Sequence, residues 1–544
     1  MNRLSRRRLI RAGGGLAAAA AAHAARTSTV AGMAGSDRPD GWHPNLIVLL
    51  TDQWRFTQHW PDGWAEQHLP AEERLKRHGL TFRNAFIAAA ECTPSRATIL
   101  TGTYPAVNGV TTTFDTSHTG VGTILQTFQT NLARLLTSAG YDVVYKGKWH
   151  ESWPVGYTWS ERDIPALAER YGVGEWNPPD AGNSLSAAST AGGGAPNNDG
   201  RFMSGPTPGA TGQTPGWGES VIDFLGKRRP SDRPFCLFVS LVNPHDIGLY
   251  PNGWQEAGYQ LPAFENLGVD LPANLQDSLD TKPSVQAQFR SFWNQSQPLQ
   301  GEADERAYVN FYAYLHTVVD QHITTMLDAL DASGLTNDTV IIRLADHGET
   351  GLSHGLRQKM YNAYDETIHV PLIVSNPVLY NEPVETEAFA SLIDIVPTIA
   401  GIAGVPPDEL RRAGCVGVDL APVLSDPAAR VRDVALFTYD DHTPGIPIDA
   451  IKHICAVREA RWLYAVYYSM DGSTLQYEMY DLERDPLEME NLAFEPSAPG
   501  TSIDAERQRL HRRLTDELVA ANALPRSFRW PARSGPATAG MKNE

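Results

Sequence analysis

The residues best suited to chemistry lie in the stretch Cys92-Thr93-Pro94-Ser95-Arg96. Arg96 lies four positions after Cys92, so its guanidinium can orient and neutralise a nucleophile at position 92. Pro94 is typical of the first turn of a helix, and we expect a helix to start here with its N-terminus facing an anion. The alternative is a structural cysteine before a helix. A bare Cys-x-Pro-x-Arg pattern arises often by chance, so its surroundings decide.

Carboxylates that follow apolar runs form a second candidate group. Asp52 comes shortly after the run 46–50, and Asp346 comes shortly after the run 340–344. The carboxyl end of a strand in an α/β sheet is a common place for a metal ligand. A single aspartate after a strand is more often a cap or turn residue. Asp52 and Asp346 are therefore candidate metal ligands only in combination with the other groups.

Lysine and histidine side chains follow other apolar runs in the same way. Taken alone, a cluster of this kind is usually a solvated loop, and a histidine beside a proline means little. The candidates are Lys148 and His150 after the run 143–145, His245 after the run 235–241, and Lys359 downstream of Asp346, where Arg357 competes with it.

Together these stretches resemble the formylglycine-dependent sulfatases of the alkaline phosphatase superfamily. The match at Cys92 continues through Thr101-Gly102-Thr103-Tyr104-Pro105, which argues against chance. The stretch 147–150 is similar to the family's Gly-Lys-Trp-His, and 479–492 resembles its C-terminal Tyr-Asp-Leu-x-x-Asp-Pro-x-Glu-x-x-Asn-Leu. Similar motifs thus run from about residue 45 to residue 492.

The resemblance implies that a formylglycine-generating enzyme oxidises Cys92 to an aldehyde, 3-oxoalanine. One hydroxyl of the aldehyde hydrate would attack the sulfur of a sulfate monoester and form a covalent sulfo-enzyme. Loss of the proton from the other hydroxyl would then expel sulfate as the carbonyl re-forms. A plain serine could perform only the first step.

The resemblance also assigns roles to the basic residues. It implies that Lys148 and Lys359 hold sulfate oxygens, while Arg96 supports the nucleophile. It makes His150 the candidate base for collapse of the sulfo-enzyme and His245 the donor of a proton to the leaving oxygen. These preorganised cations would stabilise the charge on the transferring group.

For the metal, the resemblance implies a ligand set of Asp52, Gln53, the modified Cys92, Asp346 and His347. Such an oxygen-rich site suits a hard cation, with Ca²⁺ favoured and Mn²⁺ or Mg²⁺ as alternatives. The family usually has a second aspartate at position 53, and many members have asparagine at position 347. The Gln/His pair resembles choline-sulfatase-like and phosphonate-monoester-hydrolase members, which shifts the expectation slightly towards Mn²⁺.

The elements around these residues indicate an α/β fold. Continuous apolar runs without alternation predict strands that helices cover on both faces. Helical periodicity appears between the runs, which favours a large, mostly parallel sheet. The predicted strands contain 46–50, 143–145, 235–241, 340–344 and 372–374, and the predicted helices cover 125–139, 309–330 and 388–400.

Two stretches lack a periodic pattern. The segment 177–217 is rich in Gly, Ala, Pro, Ser, Thr and Asn, and it predicts an irregular surface insertion, either a flap over the substrate or a solvated loop. A second irregular stretch runs from about 250 to 283. Several tryptophans near the expected rim either stack on a substrate ring or belong to the core; they are Trp54, Trp149, Trp153 and Trp159.

The C-terminal part has a different pattern. The stretches 461–468 and 475–480 alternate like half-exposed strands, and Asp471-Gly472 between them is typical of a hairpin. A helix at about 503–521 follows. We therefore predict a signal peptide at 1–24, a linker at 25–43, a catalytic domain at 44–430 and a smaller C-terminal α+β subdomain at 431–544.

The N-terminus resembles a twin-arginine export signal. Arg6-Arg7 precedes a weakly apolar Gly/Ala run and the small-x-small site Ala22-His23-Ala24. The alternatives are a disordered basic tail and a membrane anchor, and the run is too short and weakly apolar for a stable anchor. The expected partners are the twin-arginine translocase and the formylglycine-generating enzyme, and the expected location is the periplasm or the exterior of a bacterium.

Charge and cysteine content limit the other functions. The net charge of −18 excludes nucleic acid as a favourable partner. The four cysteines show no disulfide framework; Cys236 lies in an apolar run, whereas Cys415 and Cys455 could pair or stay free.

The leading function is hydrolysis of a small-molecule or carbohydrate sulfate ester. Its chief rival is a phosphonate or phosphate ester hydrolase that uses the same site, since Gln53 and His347 occur in that branch. A non-catalytic protein that binds sulfated glycans is the third hypothesis. A pure binding protein would not need a nucleophile precursor, and this argues against it.

Overall fold

The computed structural model describes residues 42–534, apart from 114–121, 157, 183–195, 206–216, 441–447, 449–450, 470, 495–499, 526–529 and 533. The predicted signal peptide and the predicted linker up to residue 41 lie outside the described residues. Within the described residues, no helix combines the length and the apolar character needed to cross a bilayer.

Two sheets and a set of helices make up the described part of the chain. The strands are β1 (Asn45–Asp52), β2 (Gly79–Phe86), β3 (Ala89–Ala90), β4 (Asp142–Gly147), β5 (Phe235–Pro244), β6 (Thr339–Ala345), β7 (Leu372–Ser375), β8 (Val384–Ser391), β9 (Val434–Tyr439), β10 (Ile451–Glu459), β11 (Trp462–Ser469) and β12 (Leu475–Asp481). The α-helices are α1 (Trp64–His68), α2 (Pro70–Arg77), α3 (Cys92–Thr101), α4 (Pro105–Asn108), α5 (Leu132–Ser138), α6 (Asp163–Tyr171), α7 (Pro196–Ser204), α8 (Val221–Lys227), α9 (Ser284–Ser296), α10 (Glu302–Ser333), α11 (Asp365–Ile368), α12 (Ile395–Ile402), α13 (Pro407–Arg412), α14 (Ala421–Ser425) and α15 (Ser502–Ala520). Short 3₁₀ turns cover His245–Leu249, Leu261–Ala263, Thr336–Asp338, Ser353–Gly355 and Leu392–Asp394.

The larger sheet has seven strands in the order β4-β5-β1-β6-β7-β2-β8. The first four are mutually parallel, β7 runs antiparallel to both of its neighbours, and β8 is parallel to β2. Every residue of β5 and β6 is buried, as expected for strands covered on both faces. The prediction of a mixed, mostly parallel sheet flanked by helices is confirmed.

The topology gathers the carboxyl ends of four neighbouring strands. Thr51 of β1 pairs with Leu241 of β5 and with Ala345 of β6, and Gly147 of β4 pairs with Ser240. Parallel strands in this register end at the same edge of the sheet. The residues that follow β1, β4, β5 and β6 therefore meet there, which is the place where open α/β sheets bind ligands.

The smaller sheet has the order β12-β11-β10-β9-β3 and is antiparallel except for the pairing of β3 with β9. The β11–β12 hairpin around Gly472 (φ 68°) confirms the expected turn. Helix α15 buries Leu510, Leu514 and Leu518 in the same apolar cluster as residues of this sheet. The sequence patterns did not identify β9 and β10. The domain division at 430/431 stays a prediction.

Several predicted boundaries were wrong. The helix expected over 125–139 starts only at Leu132, where the side chain of Asn131 caps it by accepting a bond from the Arg134 N–H. The helix expected over 388–400 begins as strand β8, and the helix forms only after a capping box between Ser391 and Asp394. The segment 177–217, expected to be irregular, contains helix α7.

Candidate active site

Cys92 is the first residue of helix α3 and immediately follows the edge strand β3 and Glu91. The predicted helix is therefore present, although it begins two residues before Pro94. Cys92 is buried, and Ser95 in the first turn donates a hydrogen bond to the Asp346 carbonyl oxygen at 2.5 Å. This bond attaches the start of the helix to the end of β6.

Four candidate metal ligands converge. Asp52, Cys92, Asp346 and His347 are all buried, and each offers one ligand atom within 4.8 Å of the others. The His347 Nε2 lies 3.2 Å from the Cys92 Sγ, 3.6 Å from the Asp52 Oδ1 and 3.7 Å from the Asp346 Oδ1. The His347 Nδ1 contacts the Gly348 carbonyl oxygen at 2.9 Å, which leaves Nε2 for the cluster. Two carboxylates and an imidazole are a donor set that fits a divalent cation.

Gln53 contacts the same cluster through its backbone N–H, which donates to the Asp346 Oδ1 at 3.1 Å. Its Oε1 accepts a hydrogen bond from the Lys359 Nζ at 2.8 Å, and its Nε2 donates to the Glu349 carboxylate. Glu349 is fully buried and also accepts bonds from the Tyr308 hydroxyl (2.9 Å) and the Gln358 backbone N–H (2.8 Å). Glu349 thereby fixes the side-chain amide of Gln53 with its oxygen bonded to Lys359. Sequence reasoning missed Glu349, although it closely follows His347.

Arg96 lies between the two carboxylates. Its Nε donates to the Asp346 Oδ2 at 2.8 Å, and one of its terminal nitrogens donates to the Asp52 Oδ2 at 3.1 Å. The other terminal nitrogen donates to the Ser240 Oγ and the Lys148 carbonyl oxygen. Arg96 therefore links the ends of β1, β6, β5 and β4 as well as lying beside position 92.

Lys148 and Lys359 complete a group of cations around the carboxylates. The Lys148 Nζ donates to the Asp52 Oδ2 at 2.5 Å and to the Gly182 carbonyl oxygen at 2.7 Å. Burial opposes ionisation of Asp52, but Lys148 and the other nearby cations outweigh it and hold the pKa of that carboxyl well below its usual range. Burial also lowers the pKa of Lys359, yet Coulombic interactions with Cys92, Asp52 and nearby acidic groups raise it overall. Asp52 and Lys359 are thus ionised at neutral pH.

The two predicted histidines follow β4 and β5. His150 is buried with φ 55°, a conformation that is uncommon for a residue other than glycine. His245 starts the 3₁₀ turn after β5, and its Nδ1 is buried without a hydrogen-bond partner. Burial, together with Lys148, lowers the pKa of His245 well below its ordinary value, so the ring is neutral.

The structure separates Lys359 from two neighbouring basic residues, Arg357 and His354. The Arg357 guanidinium donates to the Gln297 carbonyl oxygen at 2.8 Å and lies over the Trp293 ring, so the structure gives it none of the contacts that Lys359 makes with Gln53. His354 is fully buried, bonded to Asp277 at 2.7 Å and stacked on a tyrosine. These contacts indicate a structural role for His354.

A second group of potential ligands consists of His354, Glu366 and Glu488. The Asn274 amide nitrogen lies 3.2 Å from the His354 Nε2 and 3.5 Å from the Glu366 Oε1. The Asn274 amide thus contacts two of the three residues, and the Glu488 Oε2 accepts a hydrogen bond from the Asp365 N–H at 3.0 Å. We assign no metal to this group.

The tryptophans and the other cysteines are mainly structural. Trp54, Trp149 and Trp159 are buried in the core, which favours the core alternative over stacking on substrate; Trp153 is half-buried. Cys236 is buried in β5, as predicted. Cys415 and Cys455 are both free thiols, so they do not form a disulfide.

Family profiles and several known proteins match this chain. A family profile described as Sulfatase matches residues 44–405, and one described as N-sulphoglucosamine sulphohydrolase, C-terminal, matches 353–518. An ulvan-active sulfatase of Formosa agariphila is 26% identical over 90% of this chain and 84% of its own length. A choline-sulfatase of Rhizobium meliloti is 24% identical over 84% of this chain and 83% of its own. The phosphonate monoester hydrolase structure of Agrobacterium radiobacter has a TM-score of 0.59 at 23% identity, covering 88% of this chain and 95% of that one.

The seven-stranded sheet, with its polar residues at the carboxyl ends of β1, β4, β5 and β6, has the alkaline-phosphatase-like fold of a hydrolase. Within that class, the profile match covers well over half of the sequence. The chain belongs to the sulfatase family and is a sulfuric ester hydrolase.

Proposed function

We propose that this chain hydrolyses a sulfate monoester at Cys92, once that residue is oxidised to formylglycine. The observation that supports this most directly is the convergence of the Cys92 Sγ with Asp52, Asp346 and His347 within 4.8 Å. The position-92 side chain and an anionic ester would both lie among buried cations there. The fit of the donor set also supports a divalent cation, with Ca²⁺ favoured and Mn²⁺ or Mg²⁺ as alternatives.

Asp52, Asp346, His347 and the Gln53 Oε1 would hold the cation together with the oxidised side chain at position 92. Once bound, it would supply positive charge that offsets the charge developing on the transferring group. Lys359 donates to the same Gln53 oxygen, so its ammonium lies at the edge of this ligand set. It is placed to hold an ester oxygen there.

The aldehyde hydrate at position 92 would supply a nucleophilic hydroxyl and a second hydroxyl whose deprotonation releases the product. His150 is proposed as the base for that deprotonation. His245 is proposed to act on the leaving oxygen. Because its ring is neutral, it still carries one N–H, and that N–H can bond the oxygen as the ester breaks.

The decisive experiment compares a sulfate and a phosphonate ester of the same leaving group. The protein is co-produced with a formylglycine-generating enzyme, and kcat/KM is measured for both esters. We expect a higher kcat/KM for the sulfate. A higher value for the phosphonate would favour the rival function, which Gln53 and His347 support. A further screen of aryl, alkyl, choline and carbohydrate sulfates would identify the substrate class.

Peptide mass spectrometry across Cys92 tests the modification. Conversion exchanges sulfur for oxygen and removes two hydrogens, so the peptide becomes lighter. An unmodified thiol in active protein from the native host would contradict the proposal, and an unmodified thiol in inactive protein would favour a glycan-binding role.

We also propose export by the twin-arginine translocase after this modification, because that route carries folded proteins. Replacing Arg6 and Arg7 by lysine should retain the protein in the cytoplasm with Cys92 already converted. Conversion found only in exported wild-type protein would contradict this order of events.

A further inference from the structure

The described parts of the segment 177–204 lie against the two strand ends that carry the proposed substrate-side residues. Its described parts are 177–182 and helix α7, whose side chains are described from Asn198 onward. They contact β4, which leads to Lys148 and His150, and β5, which leads to His245. The described parts of this stretch, whose composition predicts an irregular surface insertion, are therefore packed beside the proposed active site.

Asp180 binds the backbone directly before and at His150. Its Oδ1 accepts hydrogen bonds from the Trp149 N–H (2.8 Å) and the Ala181 N–H (2.9 Å). Its Oδ2 accepts a bond from the His150 N–H at 2.8 Å. Asp180 is fully buried, and His150 has the uncommon left-handed conformation. A carboxylate that accepts two consecutive amides can hold such a turn in place.

Asp199 makes the same kind of contact at the end of β5. Its Oδ1 accepts from the Val242 N–H at 2.7 Å, and its Oδ2 accepts from the Asn243 N–H at 3.0 Å. Asp199 is fully buried, and only Pro244 separates Asn243 from His245. Burial raises the pKa of Asp199 to about 6, although the two backbone donors act in the opposite direction. Asp199 thus fixes the two residues from which the chain turns towards His245.

Two further contacts join these aspartates into one unit. The Arg201 guanidinium, on the same helix as Asp199, donates to the carbonyl oxygens of Asn177, Pro178 and Pro179 at 2.8–3.1 Å. Gly182 accepts a bond from Lys148 and has φ 69°, and a Cβ there would lie 2.9 Å from the Val242 side chain. The segment therefore follows both strand ends closely.

We propose that Asp180 and Asp199 are positioning residues, which fix the main chain that carries Lys148, His150 and His245 relative to Cys92. Neither aspartate is assigned to the reacting atoms, and each acts through two consecutive backbone amides. The inference rests on the proposed function, because it concerns the groups that would contact the ester.

The test uses the variants D180N and D199N in the full chain, with D320N as a matched control. Asp320 is also buried, accepts two consecutive backbone amides (Ala71 and Glu72, both at 2.9 Å) and has a pKa raised by burial to about 6. It lies on α10 and caps α2, so its two backbone donors belong to a helix and not to a strand end that carries the site. An asparagine has one acceptor oxygen, so D199N and D320N each lose one of two backbone bonds, and D180N loses at least one of three.

We expect kcat to fall about 10- to 100-fold in D180N and D199N with little change in KM, because small displacements of catalytic groups mainly raise the barrier. We expect all three variants to lower the melting temperature by similar amounts. Only D320N should keep the wild-type kcat. If kcat in D180N and D199N equals that in D320N, the positioning role is wrong.

A second measurement does not depend on turnover. The ¹⁵N NMR signals of the His150 and His245 rings, assigned with H150Q and H245Q, should shift in D180N and D199N respectively but not in D320N. Unshifted signals would overturn the inference even if the proposed function holds. Conversely, shifted signals in a protein that hydrolyses neither ester would separate failure of the function from failure of the inference.

If D180N does not fold, Asn177→Ala is the milder variant. It removes the acceptor for the Gly147 N–H, which is 2.8 Å from the Asn177 Oδ1. We expect Asn177→Ala to lower kcat by less than D180N does. An unchanged kcat would contradict the positioning role of the segment 177–182.

Discussion

The two sides of the proposed site, one for the cation and one for the substrate, are built differently. On the cation side, Asp52 and Asp346 follow adjacent paired strands, and Arg96 bonds both of them directly. On the substrate side, the turns that carry His150 and His245 depend on carboxylates from a segment that belongs to neither strand. The difference teaches that sequence motifs identify the side chains of a site. The residues that hold the backbone carrying those side chains can lie outside any motif.

The substitution with the largest expected effect removes the proposed nucleophile, which lies between the two sides. Cys92→Ala should lower kcat/KM by about four orders of magnitude or more, because it deletes the proposed nucleophile. The matched control Cys455→Ala removes a buried thiol from β10 and should retain activity. The measurement is steady-state kinetics on the sulfate ester. Substantial activity in Cys92→Ala would show that neither side serves position 92.

A stability measurement probes the cation side alone. Arg96→Ala leaves Asp52 and Asp346 buried with less compensation, so the free energy of unfolding should fall by about 3–5 kcal/mol in the presence of a chelator. A divalent cation should restore part of this loss, because it would neutralise the same carboxylates.

Arg458→Ala is the control for that measurement. Arg458 forms a bidentate pair with Asp365 away from the cluster, at 2.8 Å for both bonds. Its loss of stability should be the same with and without the cation. A cation-independent loss in Arg96→Ala as well would argue against a metal held by Asp52 and Asp346.

Glu349→Gln tests whether the cation side also depends on a support. The variant loses the carboxylate that orients the Gln53 amide, so the dissociation constant for Ca²⁺ or Mn²⁺ should rise about 10- to 100-fold. Isothermal titration of the protein after chelator treatment measures this constant. An unchanged dissociation constant would mean that Glu349 does not orient Gln53 towards a metal. In that case only the substrate side would depend on supporting residues.

The smallest expected effect concerns pH. Burial raises the pKa of Asp199 to about 6, so its contribution to stability is complete below about pH 4 and is lost as the pH rises through 6. Relative to D199N, the wild-type free energy of unfolding should fall by an amount on the order of 1 kcal/mol over this range. Denaturation with urea at several pH values measures it. Relative to D320N, the wild-type free energy of unfolding should fall in the same way as the pH rises, because burial raises the pKa of Asp320 to about 6 as well. A rise with pH in either comparison would contradict the assigned pKa shifts.

Much of the site could be predicted because its chemistry depends on residue types at fixed spacings. The structure brings Asp52, Cys92, Asp346 and His347 together, as the motifs indicated. Glu349 could have been found from its place after Asp346-His347-Gly348. Asp180 and Asp199 could not, because each binds the backbone of a strand end 30–44 positions away in sequence. No local pattern reveals a contact of that kind.

The fold was predictable where periodicity is strong and less so where elements are short. The apolar runs correctly marked β1, β4, β5, β6 and β7. The stretch after Ala388 reads as helical because its apolar residues suit both periods, but pairing with β2 makes its first part a strand. The tryptophans show a related limit. Composition does not tell whether a large ring near a loop lies in the core, and Trp149 lies there entirely.

The strand β3 has a consequence for the timing of maturation. Ala89 and Ala90 pair with β9, whose first residue is Val434, and Cys92 follows them in a buried position. During synthesis at roughly 5–20 residues per second, tens of seconds separate the emergence of Cys92 from that of its sheet partner. On the proposed function, a modifying enzyme would reach the thiol more readily during this interval than in the finished fold, where Cys92 is buried. Pairing of β3 with β9 would then shorten the time in which Cys92 can be oxidised.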